Sequence, residues 1–190
     1  MKNDIVLAGV GGQGILTIAA IIAQAALKAN LNVKQSEVHG MSQRGGSVEA
    51  HLRLSSEPIF SDLIAEGTAD VVLAVEPMEA LRQQRYLAPT GAIVANANPL
   101  INIGNYPAVE DIISAIKTYP KSVVMDAEGI ATQVGTARAM NMVMLGAMSV
   151  FLDMPEKLLT DMITATFARK GEAIVATNLK AFAAGKEAAK

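Results

Sequence analysis

Cysteine and tryptophan are absent from all 190 residues, and aromatic residues together make up only 4%. Without cysteine the chain forms no disulfide and offers no thiolate to an iron–sulfur cluster, so a cytoplasmic protein is expected. The scarcity of aromatics argues against a base-stacking surface. An excess of one charge is missing too: 16 Lys and Arg stand against 18 Asp and Glu, for a formal net charge of -2. Lys and Arg nowhere cluster beyond an isolated pair, so there is no basic field to attract nucleic acid. Nor is there a membrane-length apolar run. The longest, Ile15 to Leu27, is interrupted by Thr17 and Gln24 and is shorter than the ~20 residues a membrane helix needs. Asp4, ahead of a short apolar segment that ends in glycines, does not fit a signal peptide.

What is present is apolar. Hydrophobic residues make up 51% and charged residues 18%, with a mean hydropathy of +0.32, against about 25% charged in an average soluble domain. Either the core is unusually complete or a partner covers apolar surface. The length suits one domain, expected over residues 1–190.

Ile5-Val6-Leu7-Ala8 reads as a buried strand. It runs into Gly9-Val10-Gly11-Gly12-Gln13-Gly14 and then a helix to about Asn30, which describes the first βα unit of an open α/β sheet. That helix is apolar almost all round, with Gln13, Thr17, Gln24 and Lys28 in one stripe, as a central or an interface helix would be. Val33 to Val38 is a second strand. A polar loop follows, His39-Gly40-Met41-Ser42-Gln43-Arg44-Gly45-Gly46. Ser47 to Leu54 alternates, placing Val48, Ala50, Leu52 and Leu54 on one face and Ser47, Glu49, His51 and Arg53 on the other. The pattern marks a half-exposed antiparallel or edge strand with His51 in solvent, so the sheet should be mixed. Val71 to Val75, Ala92 to Ala95 and Val123 to Asp126 read as further strands, the second entered through Pro89-Thr90-Gly91. Helices are expected over Met78 to Leu87, Val109 to Lys117, Arg138 to Leu152, Pro155 to Phe167 and from Glu172 onward, with a surface loop from Asn96 to Pro107. The methionines at 140, 142, 144 and 148 suit core filling, and their number on so apolar a helix also suits a packed interface.

Gly9-x-Gly11-x-x-Gly14 satisfies the dinucleotide fingerprint. Glu37, 37 - 14 = 23 residues past the last glycine, stands near the ~20 expected for the ribose-binding acid. A nicotinamide or flavin site is therefore one reading. The extra Gly12, Gln13 and a second glycine-rich loop directly after Glu37 count against it; a tight turn that only lets helix and strand pack closely is another reading. The two glycine loops should emerge at the carboxyl ends of neighbouring strands and lie side by side. Arg44 is placed to bind a carboxylate or phosphate, and His39 to donate a hydrogen bond or carry a proton; loop-stabilising contacts are the plainer role for both. Glu76 before Pro77 reads as a helix-start residue. No metal-ligand spacing and no nucleophile elbow are found.

With both loops in view, the chain resembles the gamma component of 2-oxoacid:ferredoxin oxidoreductases, in particular the small, free-standing beta subunit of the indolepyruvate enzymes. The resemblance is carried by Gly9 to Gly14, by Ser36-Glu37-Val38-His39-Gly40-Met41-Ser42-Gln43-Arg44-Gly45-Gly46-Ser47, by Ala74-Val75-Glu76-Pro77-Met78-Glu79-Ala80 and by Asn141-Met142-Val143-Met144-Leu145-Gly146-Ala147. It implies a three-layer α/β/α sandwich with a mixed, mainly parallel sheet. It also implies a subunit inactive alone, in a complex that oxidatively decarboxylates a 2-oxoacid to an acyl-coenzyme A and reduces ferredoxin. Thiamine diphosphate, Mg²⁺ and the iron–sulfur clusters then belong to a large partner subunit, while this chain binds no cofactor by itself. Coenzyme A is expected to meet it at the interface, at Gly9, Gly11, Gly12, Gln13, Gly14, Glu37, His39, Gly40, Ser42, Gln43, Arg44 and Gly45. A purely scaffolding role is a third, alternative reading, and whether the free subunit forms a homodimer that hides its apolar helices is left open.

Overall fold

The computed structural model describes residues 1–40 and 45–190. Six strands form one sheet: β1 (Lys2–Val10), β2 (Asn32–His39), β3 (Ser47–Ser55), β4 (Ala69–Ala74), β5 (Leu87–Asn96) and β6 (Ser122–Met125), in the spatial order β2-β3-β1-β4-β5-β6. β1, β4, β5 and β6 pair in parallel, whereas β3 is antiparallel to both β1 and β2. The sheet is thus mixed and mainly parallel, and the alternating segment is its antiparallel member. Ile5, Val6, Leu7 and Ala8 are all buried, because a strand apolar on both sides needs cover on both faces and so takes a central place.

The two faces are covered unequally. Ile5, Leu7, Val71, Leu73 and Val94 point to a large core shared with α1 (Ile15–Lys28), α4 (Ala127–Gln133), α5 (Met140–Ser149), α6 (Glu156–Phe167) and α7 (Glu172–Ala188). Val6, Ala8, Val72, Ala74, Ile93 and Ala95 face a smaller core under α2 (Pro77–Gln83) and α3 (Val109–Lys117). Met140, Met142, Met144 and Met148 all lie in the larger core, so these four methionines fill the interior. The closest helix contact is between α5 and α7. A Cβ on Gly146 would stand 1.9 Å from the carbonyl oxygen of Phe182, and one on Gly185 1.9 Å from that of Val143. Neither helix tolerates a side chain there.

The structure corrects several local expectations. β1 and β2 are not neighbours, since β3 lies between them. His51 is not in solvent but 2% exposed. Its Nδ1 accepts from the Ile64 amide at 2.9 Å, its Nε2 lies 2.7 Å from Glu49 Oε1, and its ring stands edge-on to Tyr86 at 4.8 Å. The alternation along β3 was a true strand signal, but the irregular segment between β3 and β4 folds over its polar face. Helix α2 ends at Gln83 and passes through a 3₁₀ turn, Gln84–Tyr86, directly into β5. Pro89-Thr90-Gly91 therefore lies within the strand, where the register with β4 shifts and β6 has not begun to pair. Helix α4 was not expected; the Asp126 carboxylate opens it by accepting from the Gly129 amide at 2.8 Å. The helix expected from Arg138 starts as a 3₁₀ turn, Ala137–Ala139, and ends at Ser149.

Candidate functional site

β1, β2, β4, β5 and β6 all run the same way, so their carboxyl ends share one edge, and the chain turns there from β1 into α1. Each glycine of that turn has its own physical reason. A Cβ on Gly9 would stand 2.3 Å from Val75 Cγ2 and 2.8 Å from Ile15 Cδ1, so strand and helix meet only over bare backbone. Gly14 has φ 81° and packs on Asn141, whose Nδ2 would lie 2.6 Å from a Cβ. Gly12 has φ 101° with nothing within 4 Å of where a Cβ would be, so it faces open space. Gln13 closes the turn from within: its Oε1 accepts from the Val10 amide at 2.8 Å, and its own amide donates to the Val10 carbonyl at 3.1 Å.

The second loop is stitched to the first. The Gly11 amide donates to the Gly46 carbonyl at 2.9 Å, the Gly40 amide to that of Ser47 at 3.0 Å, and Asn102 Nδ2 to the Gly45 carbonyl at 2.5 Å. The two loops therefore lie side by side as expected, although from strands separated by β3. His39 Nε2 lies 3.1 Å from Glu37 Oε2, and Glu37 Oε1 also accepts from Gln35 Nε2 at 2.6 Å. These side chains make a polar row along one face of the edge strand. His39, Val48, the glycine turn and the first residues of α1 line an open cavity of about 350 Å³. The first turn of α1 carries no acidic residue, so its N–H groups and positive dipole end are available to an anion. Met41, Ser42, Gln43 and Arg44 lie outside the described residues.

This arrangement disfavours the dinucleotide reading. In that fold the acid stands at the end of the strand beside β1, about 5 Å away. Here β3 occupies that place, Glu37 is two strand spacings from β1, and its carboxylate is taken by Gln35 and His39.

Beside the glycine loops lies a pair of buried carboxylates. Glu76 is the helix-start residue expected: its Oε2 accepts from the Glu79 amide at 3.0 Å. It does more than cap, because Oε1 accepts from the Leu100 amide at 3.3 Å and from the Tyr106 hydroxyl. Glu79, 2% exposed, accepts from Ser47 Oγ at 2.6 Å and Arg82 Nη1 at 2.7 Å. Burial pushes its carboxyl above the usual range, outweighing the Ser47 and Arg82 hydrogen bonds that pull it down. Burial and the Glu76 carboxylate likewise hold the Tyr106 hydroxyl protonated well above its ordinary range. Sequence reasoning missed Glu79 as a site-adjacent group. The usable signal was its spacing three residues after Glu76, which sits at the end of a strand buried on both faces. Among the described residues no group of three or more His, Cys, Asp or Glu is arranged to hold a metal ion, and no helix is long and apolar enough to cross a membrane.

Comparison with known proteins points one way. The family model described as pyruvate ferredoxin/flavodoxin oxidoreductase matches residues 4–188. Indolepyruvate oxidoreductase subunit IorB of Archaeoglobus fulgidus is 39% identical over 97% of this chain and 94% of its own length. The same subunit of Pyrococcus horikoshii is 38% identical over 100% and 96%. Among solved structures, a 2-oxoglutarate:ferredoxin oxidoreductase from Magnetococcus marinus, with 2-oxoglutarate, coenzyme A and succinyl-CoA bound, superimposes with a TM-score of 0.79 at 27% identity, over 99% of this chain but 31% of that longer chain. The gamma subunit of a keto/oxoacid ferredoxin oxidoreductase from Geobacter sulfurreducens shares the fold, with a TM-score of 0.71 at 24% identity over 98% of each chain.

Proposed function

The chain belongs to the pyruvate ferredoxin/flavodoxin oxidoreductase family, and we propose that it is the small subunit of an indolepyruvate-type (arylpyruvate) 2-oxoacid:ferredoxin oxidoreductase. The whole of residues 1–190 serves as one gamma-type domain, working in the cytoplasm. The complex oxidises a 2-oxoacid, releases carbon dioxide, joins the acyl group to coenzyme A and passes the electrons to ferredoxin. The group that attacks the keto carbon, thiamine diphosphate with Mg²⁺, and the iron–sulfur clusters reside on the large subunit. A chain with no cysteine supplies no thiolate for a cluster.

The observation that carries the reading is the pair of glycine loops joined through Gly11 and Gly46 at the carboxyl edge, with Gly12 open to approach. This edge suits an anionic group of coenzyme A. Gly11, Gly12 and Gly14 offer bare backbone, the start of α1 offers its dipole, and His39, steadied by Glu37, offers a ring N–H. Gly9 supports the turn, Gln13 both braces it and lines the cavity, and Gly40 and Gly45 belong to the second loop, from which Ser42, Gln43 and Arg44 are proposed to complete the binding set. The same edge exposes Leu16, Val38, Leu100, Ile101 and Ile103, apolar surface of the kind a large obligate partner covers.

The test is reconstitution with the large subunit of the same host. The isolated chain should oxidise no 2-oxoacid, and the complex should be active. His39→Ala in the complex should raise the KM for coenzyme A by about tenfold, as for loss of one hydrogen bond to a charged group, with kcat little changed. Oxidation by the isolated chain, or an unaltered KM in His39→Ala, would sink the proposal.

A further inference from the structure

A second cavity, of about 480 Å³, opens where α1, α5, the end of α6 and the start of α7 meet. Its volume lies within the range of small-molecule sites. Asn141 and the first turn of α1 separate it from the glycine-turn cavity, so it is a different space from the one discussed above. Its chemistry is one-sided. Arg138 and Lys170 line it, Thr17, Thr136 and Asn141 add neutral donors, and among the described residues no carboxylate does.

Lys2, Arg53, Arg82, Arg85, Lys157, Lys186 and Lys190 each have a carboxylate partner. Arg138 and Lys170, like Lys28, Lys34, Lys117, Lys121, Arg169 and Lys180, have none among the described residues, and of these Arg138 and Lys170 are the two that line this cavity. Lys170 is also steadied there, its ammonium 5.4 Å from the centroid of the Phe167 ring. Phe167 and Ile174 add an apolar wall.

We infer that this cavity binds a phosphorylated small molecule, its phosphate held by Arg138 and Lys170 and its organic body laid on Phe167 and Ile174. Two separate cations suit a phosphate better than a monocarboxylate, because a phosphate carries nearly two charges and three acceptor oxygens. The volume far exceeds that of a bare phosphate, which calls for an attached organic group. The inference does not depend on the chain's being an oxidoreductase subunit.

Calorimetric titration of the full-length chain with ADP, inorganic pyrophosphate and indole-3-acetate tests it. ADP should bind saturably and shift the Ile174 methyl resonances but not those of Leu16, and pyrophosphate should compete with it. Arg138→Gln and Lys170→Gln should each weaken ADP about tenfold, while Arg169→Ala, a neighbouring cation that does not line the cavity, should leave it unchanged. Both altered side chains are exposed, so the variants should keep the parent's Tm; should either unfold, the methyl shifts of the unaltered chain decide. No saturable ADP binding, tighter binding of indole-3-acetate than of ADP, equal weakening by Arg169→Ala, or an Ile174 methyl unmoved by ADP would each overturn the inference.

Discussion

Glu76→Ala is the most informative single change to the candidate site. The carboxylate is 1% exposed and ties together two elements that the chain does not join directly, the start of α2 and the loop after β5. Removing it costs the N-cap interaction with the Glu79 amide, about 1 kcal/mol. It also removes two hydrogen bonds to a charged acceptor, worth about 1.5–3 kcal/mol each. The Leu100 bond, at 3.3 Å, belongs at or below the low end of that range, and the Tyr106 hydroxyl would be left with no acceptor in a partly buried site. The sum is about 4 kcal/mol, a large share of the 5–15 kcal/mol by which domains of this kind are stable. Glu76→Gln keeps a carbonyl acceptor and loses the charge, so about half that loss is expected.

Urea unfolding of the full chain measures the total, and hydrogen exchange localises it. The Leu100 amide should lose most of its protection in Glu76→Ala, whereas amides in β1 should lose only what global destabilisation requires. The loop also touches the second glycine loop through Asn102 and the Gly45 carbonyl. Coenzyme A should therefore bind more weakly to the assembled complex carrying Glu76→Gln, with a raised KM. A loss below about 1 kcal/mol in Glu76→Ala, with Leu100 protection intact, would show that the cap alone matters and that Glu76 does not hold the loop.

Two further outcomes concern stability. Gly146→Ala forces the α5 and α7 backbones apart, since the new methyl would meet the Phe182 carbonyl oxygen at 1.9 Å; the loss should reach about 3 kcal/mol, the upper end for overpacked cores, and a Tm within a degree or two of the parent's would refute the close approach. The acid limb of stability should follow Asp4. Burial pushes its carboxyl up, but the hydrogen bonds from Arg53 and Lys2 outweigh this and hold it below its ordinary range. Its contribution is thus present above about pH 3.8 and is lost as the pH falls through the lowered folded value, so Asp4→Asn should flatten that limb in acid unfolding curves. Glu79 works in the opposite sense: with its folded pKa raised, its contribution is complete below about pH 4.5 and is lost as the pH rises through the folded value. A carboxyl carbon titration by NMR that placed Glu79 at or below the ordinary glutamate range would contradict that sign.

What could be read from the sequence was what is encoded locally. Ile5 to Ala8, apolar at every position, announced a central strand, and the alternation from Ser47 to Leu54 announced an antiparallel one. Both signals come from side-chain period, which the backbone imposes on any strand. The cover over His51 was invisible because the segment between β3 and β4 has no period of its own, and a histidine facing a loop has the same pattern as one facing water. Asp126 carried a legible cap signal for α4, but an aspartate ending an apolar run reads equally well as the end of a strand. The part-buried pair Asp4–Arg53 was hidden for a further reason: its partners are 49 residues apart, and pairing at that range is not written in either neighbourhood.

The glycine turn shows most clearly where local reading stops. Gly9, Gly11 and Gly14 follow a strand and open a helix in this chain as they would in a dinucleotide-binding unit, and Glu37 stands at nearly the right distance along the sequence. What separates the two is strand order, which no short motif specifies. Once β3 takes the place beside β1, the acid lies one strand too far and becomes the partner of His39, while the ribose position is filled by antiparallel backbone. The same hairpin then brings Gly46 against Gly11, which a dinucleotide turn lacks. The helix N-terminus keeps its preference for an anion, but the cavity above it is lined on its other side by His39 and Val48 and flanked by the exposed Leu16 and Val38, which suits a ligand shared with another subunit rather than one enclosed by this chain alone.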